Sequence, residues 1–298
     1  MLNRPQNYYR GLYNQDIQDA LNYLKEADHE FYRVEKDFSS GTVSMDSQIQ
    51  GYRGVSTYNS VMNGNVKEFV NTCYPEFLYM DRNRYTFWPI AQDTFFASFM
   101  GVRYLISEKP DLDDTKYKYL RQFGQFFLYK NVKEADIARF YENTVSEESL
   151  RKLCTGKKRK KNRERILENY LVTEDGADIS DLSELTEIPE AQKKSAVTLD
   201  AAEKDSHLTG SVSAQADGYV MCMIPWEKGW TVTVDGEKVQ TQKGDLGFLA
   251  FQVDKGEHQL ELTYQVPGLK AGMAAGAVCW FIYISICFYQ SRKKKRNL

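Results

Sequence analysis

The side chains best suited to binding a ligand lie in one loop with two glycines, Gly51–Ser60. Aromatic faces stack on sugar rings, and a guanidinium group can fork onto a phosphate or a carboxylate. The segment YTFWPI adds a tryptophan further along the chain. We predict a ligand contact made by five side chains, Tyr52, Arg53, Tyr58, Asn59 and Trp88. The alternative is that the aromatic side chains fill the core while Arg53 extends to solvent.

Catalytic machinery is not recognisable in the sequence. The three histidines, His29, His207 and His258, are far apart, and no G-x-S-x-G, H-E-x-x-H or glycine-rich phosphate loop occurs. Asp111-Leu-Asp113 has the spacing of a metal-binding D-x-D pair, but its polar loop favours ordinary turn residues. Five widely spaced cysteines form no C-x-x-C pair and are typical of small apolar core residues. We therefore assign no catalytic residue, metal site or cofactor.

Charge excludes nucleic acid as the main partner. The 298 residues carry 39 Lys and Arg against 41 Asp and Glu, and five of the bases are grouped at Arg292–Arg296. The rest of the chain, with 34 bases against 41 acids, is weakly acidic, whereas phosphate neutralisation needs clustered positive charge.

Charge is also segregated in the middle of the chain. Seven bases lie between Lys157 and Arg165, and seven acids without a base lie between Glu174 and Glu190. A solvated helix followed by an acidic loop accounts for this pattern. The other interpretation is that the bases face anionic lipid headgroups or a phosphate-bearing polymer.

The elements before residue 130 alternate in type. Asn14 is a candidate N-cap for a helix with apolar residues at 17, 21 and 24, and a strand follows at Phe31–Phe38. A helix at Ala91–Met100 leads into a strand at Val102–Ile106, and Gly124 separates the arms of a possible hairpin. We expect an α+β domain over residues 1–130 and a charged helical linker over 131–194.

Between residues 195 and 267 the hydrophobic period changes to two. Trp230, Val232 and Val234 alternate with threonines, and glycine turns recur, with Asp235-Gly236 the best candidate for a tight hairpin. The spacing predicts a small antiparallel β-sandwich.

Residues 268–290 have the length and composition of a transmembrane helix. No charge occurs from Ala271 to Tyr289, close to the ~20 residues that cross ~30 Å of hydrocarbon. The basic tail at 291–298 is expected in the cytoplasm, which places the body outside it. The predicted membrane anchors are Lys270, Trp280, Tyr283, Arg292, Lys293, Lys294, Lys295 and Arg296. A buried core helix, or a tail-anchored protein with a cytoplasmic body, would be the alternatives.

Export of this body needs a signal upstream of the helix. The first 30 residues contain no apolar segment that could act as a signal peptide. We therefore expect further membrane spans before Met1, in a longer protein of which this chain is the C-terminal part.

Several segments resemble the bacterial YfhO-type membrane proteins. They include FYRVEKDF, GYRGVSTYNS and FFASFMGVRYLIS in the first half, and GWTVTVDGEKV, GFLAFQVDKGEHQLELTY and PGLKAG before and into the last helix. The resemblance implies a multi-spanning glycosyltransferase of the GT-C kind, which moves a sugar from a polyprenyl-phosphate carrier to a cell-wall polymer such as lipoteichoic acid. Its catalytic carboxylate would lie among N-terminal spans, so none is assigned in this chain.

Two functions remain open at the level of sequence. In the first, the chain is the extracytoplasmic region of such a transferase, supports acceptor binding rather than chemistry, and partners the bilayer, the upstream spans, a lipid-linked sugar and a teichoic acid polymer. In the second, it is a non-catalytic, membrane-anchored surface protein whose β-sandwich binds carbohydrate or protein. Transport of a lipid-linked substrate is a third possibility.

Overall fold

A computed structural model of the chain describes residues 13–38, 46–58, 63–77, 84–85, 93–133, 135–200 and 205–296. Its α-helices are α1 (Gln15–Ala27), α2 (Asp46–Gln50), α3 (Gly64–Cys73), α4 (Thr94–Phe99), α5 (Glu147–Leu153), α6 (Arg159–Asn169), α7 (Glu190–Lys194) and α8 (Leu269–Arg296). The strands of the first half are β1 (Arg33–Lys36), β2 (Thr57–Tyr58), β3 (Arg84–Tyr85), β4 (Val102–Ser107), β5 (Tyr117–Phe123), β6 (Phe126–Asn131), β7 (Ala138–Tyr141) and β8 (Thr144–Ser146). Those of the second half are β9 (Leu171–Thr173), β10 (Ala196–Leu199), β11 (His207–Ala214), β12 (Gly218–Pro225), β13 (Trp230–Val234), β14 (Glu237–Val239), β15 (Thr241–Gly244), β16 (Phe248–Val253) and β17 (Gly256–Tyr264).

The first half of the chain forms a mixed sheet with strand order β1-β4-β6-β5. Strand β1 runs parallel to β4, and the other neighbours are antiparallel. Helix α1 begins at Asn14, whose side chain accepts hydrogen bonds from the Asp16 and Ile17 amides, as its N-cap position predicts. Its apolar residues Ile17, Leu21 and Leu24 are buried in one core cluster with residues of β1, β4 and β6.

The predicted elements of this half occur, with shorter or shifted ends. The strand expected at Phe31–Phe38 is confined to Arg33–Lys36, and the helix expected at Ala91–Met100 is described as Thr94–Phe99. The β5–β6 hairpin is longer than predicted and turns at Gly124. Gly124 has φ +54°, which suits the first central position of a two-residue hairpin turn.

The second half contains two antiparallel sheets. One has the order β10-β11-β17-β13-β14, and the other has the order β15-β16-β12-β7. The predicted Asp235-Gly236 turn joins β13 to β14. One core cluster contains Leu208, Val232 and Leu262 of the first sheet together with Val220 and Phe251 of the second. Both sheets therefore share a hydrophobic core.

The segment predicted as a charged linker contributes to this core. Strand β7 pairs with β12 as an edge strand of the four-stranded sheet. Leu150, Ile166, Leu167 and Leu171 are 0% exposed and belong to the same cluster as the sheets. Most charged side chains of the segment are exposed, and the many charges in its average composition concealed the buried apolar residues.

The two halves are joined by buried polar contacts. The Arg33 guanidinium of β1 donates hydrogen bonds to the carbonyls of Met100 and Met223, each at 2.7 Å. Burial lowers the pKa of Arg33 to about 10, although Glu35 and Asp205 partly offset that effect. The Phe31 amide also donates to the Leu199 carbonyl at 2.9 Å. The Arg33–Met223 bond reaches β12 of one C-terminal sheet, and the Phe31–Leu199 bond reaches β10 of the other.

Helix α8 stands apart from the packed body. The most apolar 18 residues of its Leu269–Arg292 segment have a mean hydropathy of 1.9 and are not buried, and the segment is long enough to cross a membrane. The anchor residues Trp280 and Tyr283 are 66% and 60% exposed, and their rings pack edge to face. The helix continues to Arg296, so the predicted tail begins within it. Among the described residues this is the one helix that is both long and apolar enough to span a bilayer.

Candidate functional site

Tyr52 and Arg53 lie together in the wall of a cavity of about 680 Å³, named here the Arg53 cavity. Helix α1, strand β1, helix α2 and the chain around Asp205 enclose it. Leu21 and Val34 give it an apolar part. Its polar wall consists of Lys25, Tyr32, Ser47, Gln48, Tyr52, Arg53 and Asp205. A cavity that combines an apolar part with several donors and acceptors suits a polar ligand such as a sugar or its phosphate.

Arg53 is held by a carboxylate and by an aromatic face. Its Nε and Nη2 atoms both lie 2.8 Å from Asp205 Oδ1. The guanidinium carbon is 4.4 Å from the centre of the Phe31 ring. The Arg53 side chain is 26% exposed and that of Asp205 is 67% exposed, so the pair is well solvated. An exposed ion pair contributes about 0–1 kcal/mol, which an incoming anion can readily replace.

The loop that carries Tyr52 and Arg53 is fixed to strand β1. The Arg53 carbonyl accepts a hydrogen bond from the Val34 amide at 2.9 Å. Glu35 is only 2% exposed, and its Oε1 accepts hydrogen bonds from the amides of Val55 and Ser56. Two amide donors on a buried carboxylate form charge-assisted bonds, which hold the loop in one position. The Arg53 cavity is therefore largely preformed.

Aromatic residues of the cavity also contribute to the core. Tyr52 is half-buried against the α1 core cluster, and the Lys36 ammonium lies 5.8 Å from the centre of its ring. Tyr32 is 9% exposed, and burial raises the pKa of its hydroxyl above the usual value. Both predicted roles for Tyr52, core packing and ligand contact, are thus compatible with its position.

The other predicted contacts are described less completely. Tyr58 lies in β2, which pairs with β3, but its side chain, Asn59 and Trp88 lie outside the described residues. Sequence reasoning missed Asp205, the partner of Arg53, because it is 152 residues away and no local pattern marks it. It also missed Lys25, whose place on α1 reads as an ordinary exposed helix position.

A second cavity, of about 620 Å³, has an acidic wall that includes Asp175, Glu237 and Asp254. His258 lies in it, with Nδ1 2.7 Å from Asp235 Oδ2 and Nε2 3.1 Å from the Asp254 carbonyl. The Asp235 hydrogen bond is the main reason that the pKa of His258 is raised. Within the described ranges, no group of three or more His, Cys, Asp or Glu residues is placed to hold a metal ion.

Residues with other chemical potential have structural partners. Asp113 Oδ1 accepts hydrogen bonds from the amide and hydroxyl of Thr115, at 3.0 and 2.6 Å, as a turn residue does. His207 pairs with Glu261 across neighbouring strands, away from His258. Cys73, Cys154 and Cys222 are buried, whereas the two cysteines of α8 are exposed.

Comparison with known proteins gives a consistent result. A family model described as "Bacterial membrane protein YfhO" matches residues 3–188 and 179–275. A curated protein of Bacillus subtilis (strain 168), described as "Uncharacterized protein YfhO", is 33% identical over 93 residues. That match covers 31% of this chain and 10% of the relative, so it samples a small part of a much longer protein. No solved structure matches.

Proposed function

Because the chain belongs to the YfhO family of bacterial membrane proteins, we propose that it is the extracytoplasmic region of a lipid-linked-sugar glycosyltransferase. In this proposal the transferase modifies a cell-wall polymer such as lipoteichoic acid. The sugar donor is a polyprenyl-phosphate sugar, and the chemistry belongs to membrane spans outside this chain. The region described here binds the acceptor.

The proposed position of the body outside the cytoplasm rests on helix α8. Its apolar surface is exposed along the whole span, and Arg292 begins a run of five bases at its end. Burying such a surface in lipid is favourable, and bases at the end of a span favour the cytoplasmic side. In this proposal the body before α8 lies on the outer face, and its two antiparallel sheets form a β-sandwich there.

The Arg53 cavity supports a binding role. It presents Arg53 and Lys25 beside hydroxyl and amide groups, a combination suited to a phosphate-bearing sugar or polymer unit. Asp205 forms a solvated ion pair with the Arg53 guanidinium, and a ligand phosphate can displace the Asp205 carboxylate at little cost. Binding without chemistry also fits the rival function, a surface protein that binds carbohydrate.

Cell-wall analysis tests the proposed function. The gene for the full-length protein is deleted and complemented with its native form, with the Arg53→Ala form or with the Arg121→Ala form. Arg121 is a matched control because it is exposed and lies 5.5 Å from the Tyr23 ring, but outside the cavity. We expect deletion to remove a sugar from the polymer, Arg121→Ala to restore it, and Arg53→Ala to restore it only partly at equal membrane abundance.

Two results would contradict this proposal. Unchanged polymer glycosylation after deletion would favour the carbohydrate-binding surface protein. If the Arg53→Ala strain loses membrane abundance of the protein in proportion to its loss of polymer glycosylation, Arg53 serves folding through Phe31 and Asp205.

A further inference from the structure

The seven bases between Lys157 and Arg165 divide into two groups. Arg159 is 3.1 Å from Glu76, Lys160 is 3.0 Å from Asp93, and Arg163 is 2.6 Å from Glu76. The other four are exposed and have no carboxylate within ion-pair distance in the described part of the chain. We name these four the basic face: Lys157, Lys158, Lys161 and Arg165.

The bases of the basic face are closely spaced on a helix that is packed into the folded body. Lys158, Lys161 and Arg165 follow one another at i, i+3 and i+7, which places them on one side of α6 and the turn before it. With a rise of 1.5 Å per residue, their backbone positions span about 10 Å. The opposite side of α6 carries Ile166 and Leu167, which are 0% exposed in the shared core. The bases are therefore anchored through α6 to the folded body.

An acidic residue lies beside these bases. Asp181 is exposed, and hydrogen bonds from Ser183 are the main cause of its lowered pKa, with smaller contributions from Lys158 and Arg165. Its carboxylate is therefore within electrostatic reach of both bases. Asp181 and Glu184 also form a capping box on a short 3-10 turn. The acidic segment thus offers the basic face a weak internal counter-charge.

We propose that the basic face binds a flexible polyanion, a polymer of repeating phosphodiesters that runs along α6. The proposal deepens the proposed function by locating the surface that holds the acceptor chain, and it rests on that function for the identity of the polymer.

The geometry favours a polymer over the bilayer surface. A helix that docks on a membrane inserts apolar side chains beside its bases, but the apolar residues of α6 are buried in the core. A flexible chain can follow the four bases along α6.

Counterion release sets the expected salt dependence. Four neutralised phosphates on a single-stranded polyanion give a slope of about −2.8 in log K against log salt concentration. Affinity then falls about 50-fold between roughly 50 and 200 mM salt. Removing the four bases removes most of this dependence.

Direct binding to the full chain tests the proposal. The chain is reconstituted in nanodiscs of phosphatidylcholine, and the probe is a fluorescent poly(glycerol phosphate) of defined length. The test variant is K157Q/K158Q/K161Q/R165Q. The control is K118Q/K130Q/K228Q/K255Q, which makes the same charge change at four other exposed lysines. D181N/E184Q removes two neighbouring charges while retaining side chains that can cap the turn.

We expect the test variant to lose at least ten-fold in affinity and most of its salt slope, the control to change little, and D181N/E184Q to bind more tightly. Equal losses in the test and control variants would overturn the proposal. The proposal would also be overturned if the test variant lost binding to phosphatidylglycerol vesicles but kept its affinity for the polymer, because the basic face would then contact the membrane. The assay contains no sugar donor and measures polymer binding alone. A negative binding result would therefore contradict the role of the basic face without contradicting the cell-wall analysis.

Discussion

Arg163 is the one base of the charged run whose replacement should damage the fold. It is 0% exposed, and its Nη1 donates to the Cys73 carbonyl at 2.5 Å and to Glu76 at 2.6 Å. Its guanidinium carbon lies 3.7 Å from the centre of the Tyr74 ring, and Nη2 lies 3.6 Å from Asp93. We predict that Arg163→Met is strongly destabilising, although Met can retain much of the packing of the arginine stem.

The magnitude follows from the groups left behind. The Asp93 side chain is only 8% exposed, so losing Arg163 leaves a buried carboxylate with a weaker set of cationic neighbours. Removing one partner of a buried ion pair costs about 3–5 kcal/mol. The Cys73 carbonyl also loses its charge-assisted donor, a contribution contained in that range.

Urea denaturation of the chain in a neutral detergent, followed by tryptophan fluorescence, measures this cost. With a slope of about 3 kcal/mol per M urea, the midpoint should fall by about 1–1.7 M. The matched control is Arg165→Met, an exposed base in the same helix, which should change stability by less than about 0.5 kcal/mol. In R163M/D93N the buried Asp93 charge is absent while Asn can still cap α4, so part of the loss should be recovered.

Equal midpoints for Arg163→Met and Arg165→Met would refute this reasoning, because burial of the Arg163 ion pair would then have no energetic consequence. Failure of Asp93→Asn to recover stability in the Arg163→Met background would show that packing, rather than the buried Asp93 charge, sets the cost.

Three further predictions concern buried groups and turns. Burial raises the pKa of Asp245 to about 7; the folded state then holds a proton that the unfolded state releases, so stability falls as pH rises from about 4 to 7. Asp245→Asn should abolish this fall in urea midpoints, and an unchanged pH profile would contradict it. The Asp235 hydrogen bond raises the pKa of His258, so Asp235→Asn should lower that pKa in an NMR titration while the hairpin persists; an unmoved pKa would exclude the pairing. Gly101 has φ +71°, and a Cβ there would lie 3.0 Å from Ile137 Cδ1. Gly101→Ala should therefore cost at least about 1–2 kcal/mol, and an unaltered thermal midpoint would contradict this conformational strain.

Local sequence signals predicted much of the fold. The Asn14 cap, the apolar spacing of α1, the Asp235-Gly236 turn and the apolar run of α8 each depend on neighbouring residues. Such features are readable because the interactions that define them lie within a few positions along the chain. Element ends were less accurate, since tertiary contacts decide where a strand stops pairing.

Long-range pairing could not be read from the sequence. Strand β7 lies in a segment dominated by charge, yet it completes a sheet by pairing with β12 some 80 residues later. Arg163 is one of seven similar bases, and only the fold distinguishes it from the exposed Arg165. In the Arg53 cavity, the loop was recognisable by residue type, but its carboxylate partner Asp205 was not.

Thiol labelling in intact cells tests the central claim, the orientation of the chain across the membrane, most directly. In a C279S/C287S background, the remaining native cysteines are buried, and Lys255→Cys or Leu298→Cys supplies one added thiol. We predict that a membrane-impermeant maleimide labels the cysteine at position 255 in intact cells and the one at 298 only after permeabilisation. Labelling at 298 in intact cells, with protection at 255, would contradict the account.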